Sequence, residues 1–121
     1  MGKQYMLPYV VGAPRILFAN MDLLAQAGYD SIPTTWDELI EVAKAVTEAT
    51  GKIGFDVPWG GYFGDLNEIY FPYLWQAGGD IADADGNLTL DTDAALKAAE
   101  FVYSLKTEGV ISDSCVSRDS S

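Results

Sequence analysis

The stretch Pro33-Thr34-Thr35-Trp36-Asp37-Glu38-Leu39 decides where the main helix of this chain begins. A threonine followed three residues later by a glutamate is a capping box, in which each side chain bonds the backbone N–H of the other residue. Apolar residues then recur at helical spacing, and Gly51 is typical of a helix end. The pattern predicts a helix with one apolar face, formed by Trp36, Leu39, Ile40, Ala43 and Val46.

The segments on either side alternate between short β-rich runs and further helices. Strands are predicted at Tyr5–Val11, Arg15–Ala19 and Ile53–Val57, and a hairpin at Asp80–Leu90 around Asp85-Gly86. Three more helices are predicted at Met21–Ala27, Leu66–Ala77 and Asp93–Glu108. This order predicts an α/β or α+β fold in which a small sheet is covered by about four helices.

The last ten residues differ in composition from the rest. Residues 112–121 are rich in Ser and Asp, which predicts a disordered polar tail, so the expected domain is residues 1–111. Cys115 lies in this tail and has no second cysteine with which to form an intrachain disulfide. We therefore expect no role for it.

Composition and charge exclude several classes of function. The 121 residues carry a net charge of −11, which argues against nucleic acid or an anionic membrane as a partner. The chain has no histidine, which excludes Ser-His-Asp and Cys-His catalysis and His-ligated metals. No apolar run is long enough to span a membrane.

The stretch Trp59–Trp75 holds seven of the fifteen aromatic residues. Its helical spacing fits a core face, whereas its loop aromatics Trp59, Tyr62 and Phe63 lie among glycines that give little cover. Exposed aromatic rings stack on the apolar faces of sugars, and polar side chains such as Asn67 and Glu68 bind hydroxyl groups. Core packing and ligand binding both remain open for this stretch.

The acidic residues suggest a calcium site and a glycosidase, and the sequence favours neither. The aspartates of segment 80–93 lack the glycine and glutamate positions of an EF-hand calcium loop, so we expect no metal and no cofactor. Pairs such as Asp65 with Glu68 could serve a glycosidase, but nothing in the sequence indicates a pocket that would raise one pKa. We therefore expect no enzyme.

Five motifs in order resemble the extracytoplasmic solute-binding proteins of ABC transporters, in the sugar-binding group. They are Gly2–Tyr9, Ile16–Leu24 followed by Ala27-Gly28, Pro33–Leu39, Leu74–Asp80 and Ala94–Ile111. The resemblance implies part of one lobe of a periplasmic-binding-protein fold, beginning at a hinge-crossing strand. It also implies an ABC permease as a partner and an extracytoplasmic location, although Met1–Pro8 lacks the apolar stretch of a signal peptide, so the chain as written is expected in the cytoplasm.

The resemblance also implies a set of residues on the ligand cleft. These ligand-binding candidates are Gly12, Ala13, Pro14, Trp59, Tyr62, Phe63, Asn67 and Glu68. A lobe that contributes only one wall of the cleft buries little of a sugar or oligosaccharide, so we expect weak, non-catalytic binding.

A partial lobe should also expose apolar surface and strand edges. Association with a second copy covers such surfaces, so we expect a homodimer or a higher homo-oligomer. An alternative follows from the same argument, in which the chain is a homo-oligomeric interaction module that binds no sugar. Phe71 and Trp75 on the aromatic helix would then lie in the interface.

Overall fold

A computed structural model of the chain describes residues 4, 7, 9, 15–57, 59, 60 and 63–117. Within these residues the chain forms four α-helices and one short 3₁₀ helix. The α-helices are α1 (Met21–Gln26), α2 (Trp36–Thr50), α3 (Phe63–Gln76) and α4 (Asp93–Thr107), and the 3₁₀ helix is Asp113–Ser117. Each α-helix lies where the sequence predicted one, with ends that differ by at most three residues.

Both ends of α2 form as the sequence predicted. The Thr35 side chain accepts a hydrogen bond from the Glu38 N–H at 3.2 Å, and the Glu38 carboxylate accepts one from the Thr35 N–H at 3.2 Å. Gly51 ends the helix with a φ of +68°, a left-handed conformation that favours glycine. The capping box and the glycine stop are therefore confirmed.

Three apolar clusters hold the helices together. The main core joins α2, α4 and the segments that follow each of them, through Ala43, Val57, Phe101, Leu105, Val110, Ile111 and Cys115. A second cluster packs α1 on α2 through Leu24, Val42 and Val46. A third packs α3 on α4 through Leu74, Ala95 and Ala98. The helices thus pack in two pairs, α1 on α2 and α3 on α4, and the main core joins α2 to α4.

The small sheet of the prediction does not form within the described residues. Their strand pairing is limited to one antiparallel bridge, between Ala82 and Leu88, in the predicted hairpin. Residues 15–19 and 53–57 lie outside any helix but form no ladder there, and Tyr5–Val11 falls mostly outside the described residues. A β-rich sequence becomes a sheet only where another strand lies beside it, which explains the difference.

The C-terminal segment packs against the core, which its composition did not predict. Residues 110 and 111 are buried beside α4, and the 3₁₀ helix that follows places Cys115 in the main core, where it is only 2% exposed. The Trp59 N–H also donates a hydrogen bond to the Cys115 carbonyl at 2.7 Å. The expectation of a disordered, unpacked tail therefore does not hold for Asp113–Ser117, which form a 3₁₀ helix and pack on the core through Cys115, while Asp113, Ser114 and Ser117 are exposed.

Helix α3 continues through Pro72, whose ring removes one backbone donor from the helix interior. The sequence left open whether Pro72 begins or kinks this helix, and the structure places it well inside. None of the helices in the described part of the chain combines the length and apolar character needed to cross a bilayer.

Candidate functional site

Four of the eight predicted ligand-binding residues lie outside the described residues: Gly12, Ala13, Pro14 and Tyr62. Phe63 is the first residue of α3. The structure therefore describes the surroundings of Trp59, Asn67 and Glu68, which occupy the connection into α3 and the second turn of that helix.

Trp59 is half-buried and is held at two points. Its ring packs against the main core, and its backbone N–H bonds the Cys115 carbonyl. The neighbouring glycines suggested little cover for this ring, but the structure packs it against the main core, whose residues are distant in sequence. Trp59 is thus fixed in part by packing and remains partly exposed to solvent.

Glu68 forms an ion pair with Arg15, and both side chains are about half exposed. An exposed ion pair contributes little to stability, because solvent screens it. Its importance here is positional, since Arg15 directly follows Pro14 in the chain. The pair therefore joins the segment next to Gly12–Pro14 to the start of α3, where Asn67 is half-buried beside Glu68.

Arg15 is a candidate site residue that the sequence analysis did not name. A guanidinium group offers several N–H donors in a fixed plane, which suits hydroxyl and carboxylate oxygens. The available signal was its position directly after Pro14. Its contact with Glu68, which lies 53 residues further along the chain, depends on the tertiary structure.

The inward aromatic residues of α3 are structural. The Tyr70 hydroxyl donates a hydrogen bond to the Ala95 carbonyl at 3.0 Å and so fixes α3 to α4. Tyr73 packs edge-on against Phe101, with ring centroids 5.0 Å apart, and burial raises the pKa of its hydroxyl. Core packing, one of the two interpretations left open by the sequence, is thus confirmed for this face.

The outer face of α3 carries a different aromatic pair. The Phe71 and Trp75 rings lie 6.0 Å apart, and Trp75 is 53% exposed. Its indole N–H approaches the Asp80 carboxylate at 3.4 Å. Trp75 therefore lies on the surface that the interaction-module hypothesis requires, whereas Phe71 is half-buried against the third cluster.

The acidic hairpin uses its carboxylates for its own turn. Asp83 accepts hydrogen bonds from the Asn87 side chain and from the backbone N–H groups of Asn87 and Asp85, each at 2.9 Å. These bonds, led by that of the Asn87 side chain, lower the pKa of Asp83. Across the described residues, no three potential metal ligands gather in one place.

Comparison with known proteins identifies the family. The model of the bacterial extracellular solute-binding protein family matches residues 1–113. The chain belongs to this family. A curated solute-binding relative, the arabinooligosaccharide-binding protein of Halalkalibacterium halodurans, is 38% identical over 106 residues.

Solved structures show the same relationship. The cyclic alpha-maltosyl-1,6-maltose binding protein of Arthrobacter globiformis matches 76% of this solute-binding chain, with 36% identity and a TM-score of 0.69. A sugar transporter protein of Arthrobacter chlorophenolicus A6, solved with bound laminaribiose, matches 83% of the chain, with 29% identity and a TM-score of 0.72. The described helices therefore adopt the arrangement found in periplasmic-binding-protein folds.

The match covers only part of each relative. It includes 86% of this chain but 22% of the Halalkalibacterium protein, and 25% of each of the two solved chains. The chain thus spans about a quarter of the length of the solute-binding proteins it matches.

Proposed function

We propose that this chain is a non-catalytic lobe portion that binds sugars or oligosaccharides through one wall of a ligand cleft. The observation that carries the proposal is the Arg15–Glu68 ion pair, which joins the segment following Gly12–Pro14 to the start of α3. Arg15 directly follows one group of predicted ligand-binding residues in the sequence, and Glu68 belongs to the other. Similarity to proteins named for arabinooligosaccharide and maltosyl-maltose binding supports carbohydrate as the ligand class.

Each residue of the proposed site has a chemical role. The exposed part of the Trp59 ring, with Tyr62 and Phe63, stacks on the apolar face of a sugar ring. Asn67, Glu68 and Arg15 bind hydroxyl groups as donors or acceptors. Gly12, Ala13 and Pro14 allow the ligand to approach the backbone closely, because their side chains are absent or small. We expect this arrangement to hold a sugar in place without hydrolysing it.

The expected affinity is low. Tight binding by a cleft requires burial of most of the ligand surface, and a single wall leaves one face of the sugar in water. We expect dissociation constants of about 1 mM or weaker for an oligosaccharide. In a longer protein with a second wall, the same residues would bind much more tightly, and an ABC permease at the outer side of a membrane would be the partner.

The test is a titration of the ¹⁵N-labelled chain with arabinan oligosaccharides, maltose and laminaribiose, followed through amide chemical shifts. The proposal predicts saturable shifts confined to residues 12–15 and 59–68. A dispersed spectrum that no sugar changes would contradict binding while showing that the chain folds. Turnover of aryl glycosides, abolished in Glu68→Gln, would contradict the non-catalytic assignment.

A second candidate function is a homo-oligomeric interaction module, formed by a homodimer or a larger assembly. Exposed large apolar side chains favour it, since they occur in several segments of the described chain, including Ile16, Phe18, Trp75, Leu96 and Tyr103. Large exposed apolar patches mark interaction surfaces. Sedimentation of the chain at increasing concentration tests this candidate separately from the sugar titration.

A further inference from the structure

Two separate parts of the chain meet at Trp59. One is the described part of the connection between α2 and α3, residues 53–57, 59 and 60, which we call the Trp59 loop. The other is the C-terminal segment, residues 110–117, which follows α4. The Phe55 N–H donates a hydrogen bond to the Val110 carbonyl at 3.2 Å, and the Trp59 N–H donates one to the Cys115 carbonyl at 2.7 Å. The two parts therefore run side by side in the same direction.

The start of the Trp59 loop is fixed independently, by α2. The Gly54 N–H donates a hydrogen bond to the Thr47 hydroxyl at 3.0 Å, and Gly54 packs directly against the backbone of Ala43. Val57 is then buried in the main core. Helix α2 thus holds the beginning of the loop, whereas the C-terminal segment holds its Trp59 end.

The C-terminal segment is a small unit with few contacts of its own. Val110, Ile111 and Cys115 are buried, and the exposed Asp113 forms an ion pair with Lys106 of α4. Its 3₁₀ helix is only five residues long. Short segments at a chain end open with a smaller free energy than the whole domain. We therefore expect residues 113–117 to open locally while α2 and α4 remain packed.

We propose that the C-terminal segment is a positioning element for the sugar site, which holds the Trp59 ring where a sugar can stack on it. The inference rests on the sugar binding proposed above and names an element that controls it. Trp59 packs against the same main core that buries Cys115, so its ring and its backbone are held on the same side of the loop. Cys115 is then a positioning residue, because it acts through Trp59 rather than on the ligand.

Closure of the segment and sugar binding are then coupled in both directions. If a sugar binds only the closed form, every chain in the open form lowers the apparent affinity. By the same linkage, a bound sugar lowers the population of the open form. One hydrogen bond and one buried side chain contribute a small net free energy, which leaves the open form accessible to measurement. The sugar dissociation constant and the accessibility of Cys115 should therefore change together.

The first experiment measures hydrogen exchange at the Trp59 backbone amide together with the sugar titration. Cys115→Asp places a carboxylate at a position that is 2% exposed, which should displace residues 113–117 from the core. We expect the Trp59 amide to exchange about 10-fold faster and the sugar dissociation constant to rise about 5-fold. Ser114→Asp is the matched control, because it adds the same charge at an exposed neighbour and should change neither quantity.

A smaller change separates a local effect from general unfolding, since Cys115 also packs in the main core. Cys115→Ala removes only the sulfur and keeps the backbone carbonyl, so both quantities should rise by less than in Cys115→Asp. The amide signals of Leu24 and Val46, in the cluster between α1 and α2, report whether the rest of the fold persists. If Cys115→Asp unfolds the chain, Cys115→Ala provides the test.

The second experiment tests the reverse direction with the thiol of the unchanged chain. Cys115 is the single cysteine of the sequence and is buried, so it reacts with Ellman's reagent through opening of the segment. Maltose, laminaribiose or arabinan oligosaccharide at about 10 mM should slow this reaction roughly 3-fold, whereas a purely structural segment would not respond to sugar. Trp59→Ala is the control, because it keeps the N–H that bonds Cys115 but loses the ring. Sugar should not slow its reaction.

Three outcomes would overturn the inference. They are a Trp59 amide whose exchange is the same in both Cys115 variants as in the unchanged chain, a sugar dissociation constant that stays the same although the amide exchanges faster, and a thiol reaction that a bound sugar does not slow. The proposed function fails separately, if the unchanged chain shows no sugar-induced shifts. Faster Trp59 exchange in Cys115→Asp would then show that the segment holds the loop, while its role in sugar binding would be lost with the binding itself.

Discussion

The indole ring of Trp36 lies nearly parallel to the Phe101 ring, with centroids 4.4 Å apart and planes inclined by 18°. This contact joins the first residue of α2 to the middle of α4. Tyr73 of α3 packs edge-on against the same indole, and the Trp36 N–H donates a hydrogen bond to the Gln76 side chain at 2.8 Å. One residue from the capping motif therefore connects three helices.

Replacement of Trp36 by alanine should be strongly destabilising. The change removes the stacked ring and leaves a cavity between three helices, and we expect the free energy of unfolding to fall by about 3 kcal/mol. Urea denaturation followed by circular dichroism measures this. Trp75→Ala is the matched control, because Trp75 is mostly exposed and its loss should cost less than about 1 kcal/mol. Equal losses in the two variants would contradict the central role of Trp36.

Replacement of Gly54 by alanine should also be destabilising, because a Cβ at this position would lie 1.9 Å from the Ala43 carbonyl oxygen. The obstacle is the backbone of α2, which cannot move like a side chain. We expect a loss of roughly 3 kcal/mol in unfolding free energy. Gly51→Ala provides a contrast, since its added Cβ meets open space and only the left-handed backbone costs about 1 kcal/mol. A Gly54→Ala protein as stable as Gly51→Ala would show that the 53–57 segment packs differently.

Stability should decline in acid because of the hydrogen bonds that the Glu38 carboxylate accepts at the start of α2. The Thr34 N–H, followed by the Thr34 hydroxyl, bonds the Glu38 carboxylate and lowers its pKa below the ordinary value of 4.5. The unfolded chain therefore binds more protons in this range, so stability is complete above about pH 4.5 and is lost as pH falls through the folded pKa. Thermal unfolding between about pH 6 and pH 3 measures the decline.

The matched variants for this prediction lie on the same helix. Glu38→Gln should lower stability at neutral pH and flatten the acid decline, because the amide at this position does not titrate. Glu48→Gln is the control, since the Glu48 side chain is exposed and makes no hydrogen bond or ion pair within the described part of the chain. If Glu38→Gln lost as much stability in acid as the unchanged chain, the acid sensitivity would come from other carboxylates, such as Asp83.

Sugar binding should depend on the Trp59 ring in a graded way. Trp59→Phe keeps an aromatic face on the core and should raise the dissociation constant for sugar by roughly 3- to 10-fold. Trp59→Ala should abolish the sugar-induced shifts. Because Trp59 also packs against the core, Trp59→Ala should lower the midpoint of unfolding, and the spectrum must therefore be recorded well below it. Shifts that persist unchanged in both variants would remove Trp59 from the site.

Charge reversal at Arg15 tests the other part of the site. Arg15→Glu faces Glu68 with a like charge and should separate the segment after Pro14 from α3, which weakens sugar-induced shifts at residues 59–68. Restoring opposite charge with Glu68→Arg in the same chain should recover part of the effect. Stability should change by less than about 1 kcal/mol, because the pair is exposed. A lack of recovery in the double variant would indicate that the two side chains act independently.

Local signals in the sequence predicted the helices and their caps, because capping, helical periodicity and glycine stops depend on residues a few positions apart. The Thr35–Glu38 box, the Gly51 stop and the Asp85-Gly86 turn all belong to this class. The ordered motifs likewise identified the family, since they record common descent independently of how the chain folds.

Only the tertiary structure decided which surfaces are covered. Three contacts join residues more than fifty positions apart: the packing of Cys115 in the main core, the hydrogen bond between Trp59 and Cys115, and the ion pair of Arg15 with Glu68. No local pattern in the sequence predicts which partner a side chain contacts. The β-rich segment Arg15–Ala19 shows the same limit, because its sequence specifies strand propensity while a strand forms only when a neighbour completes its hydrogen bonds.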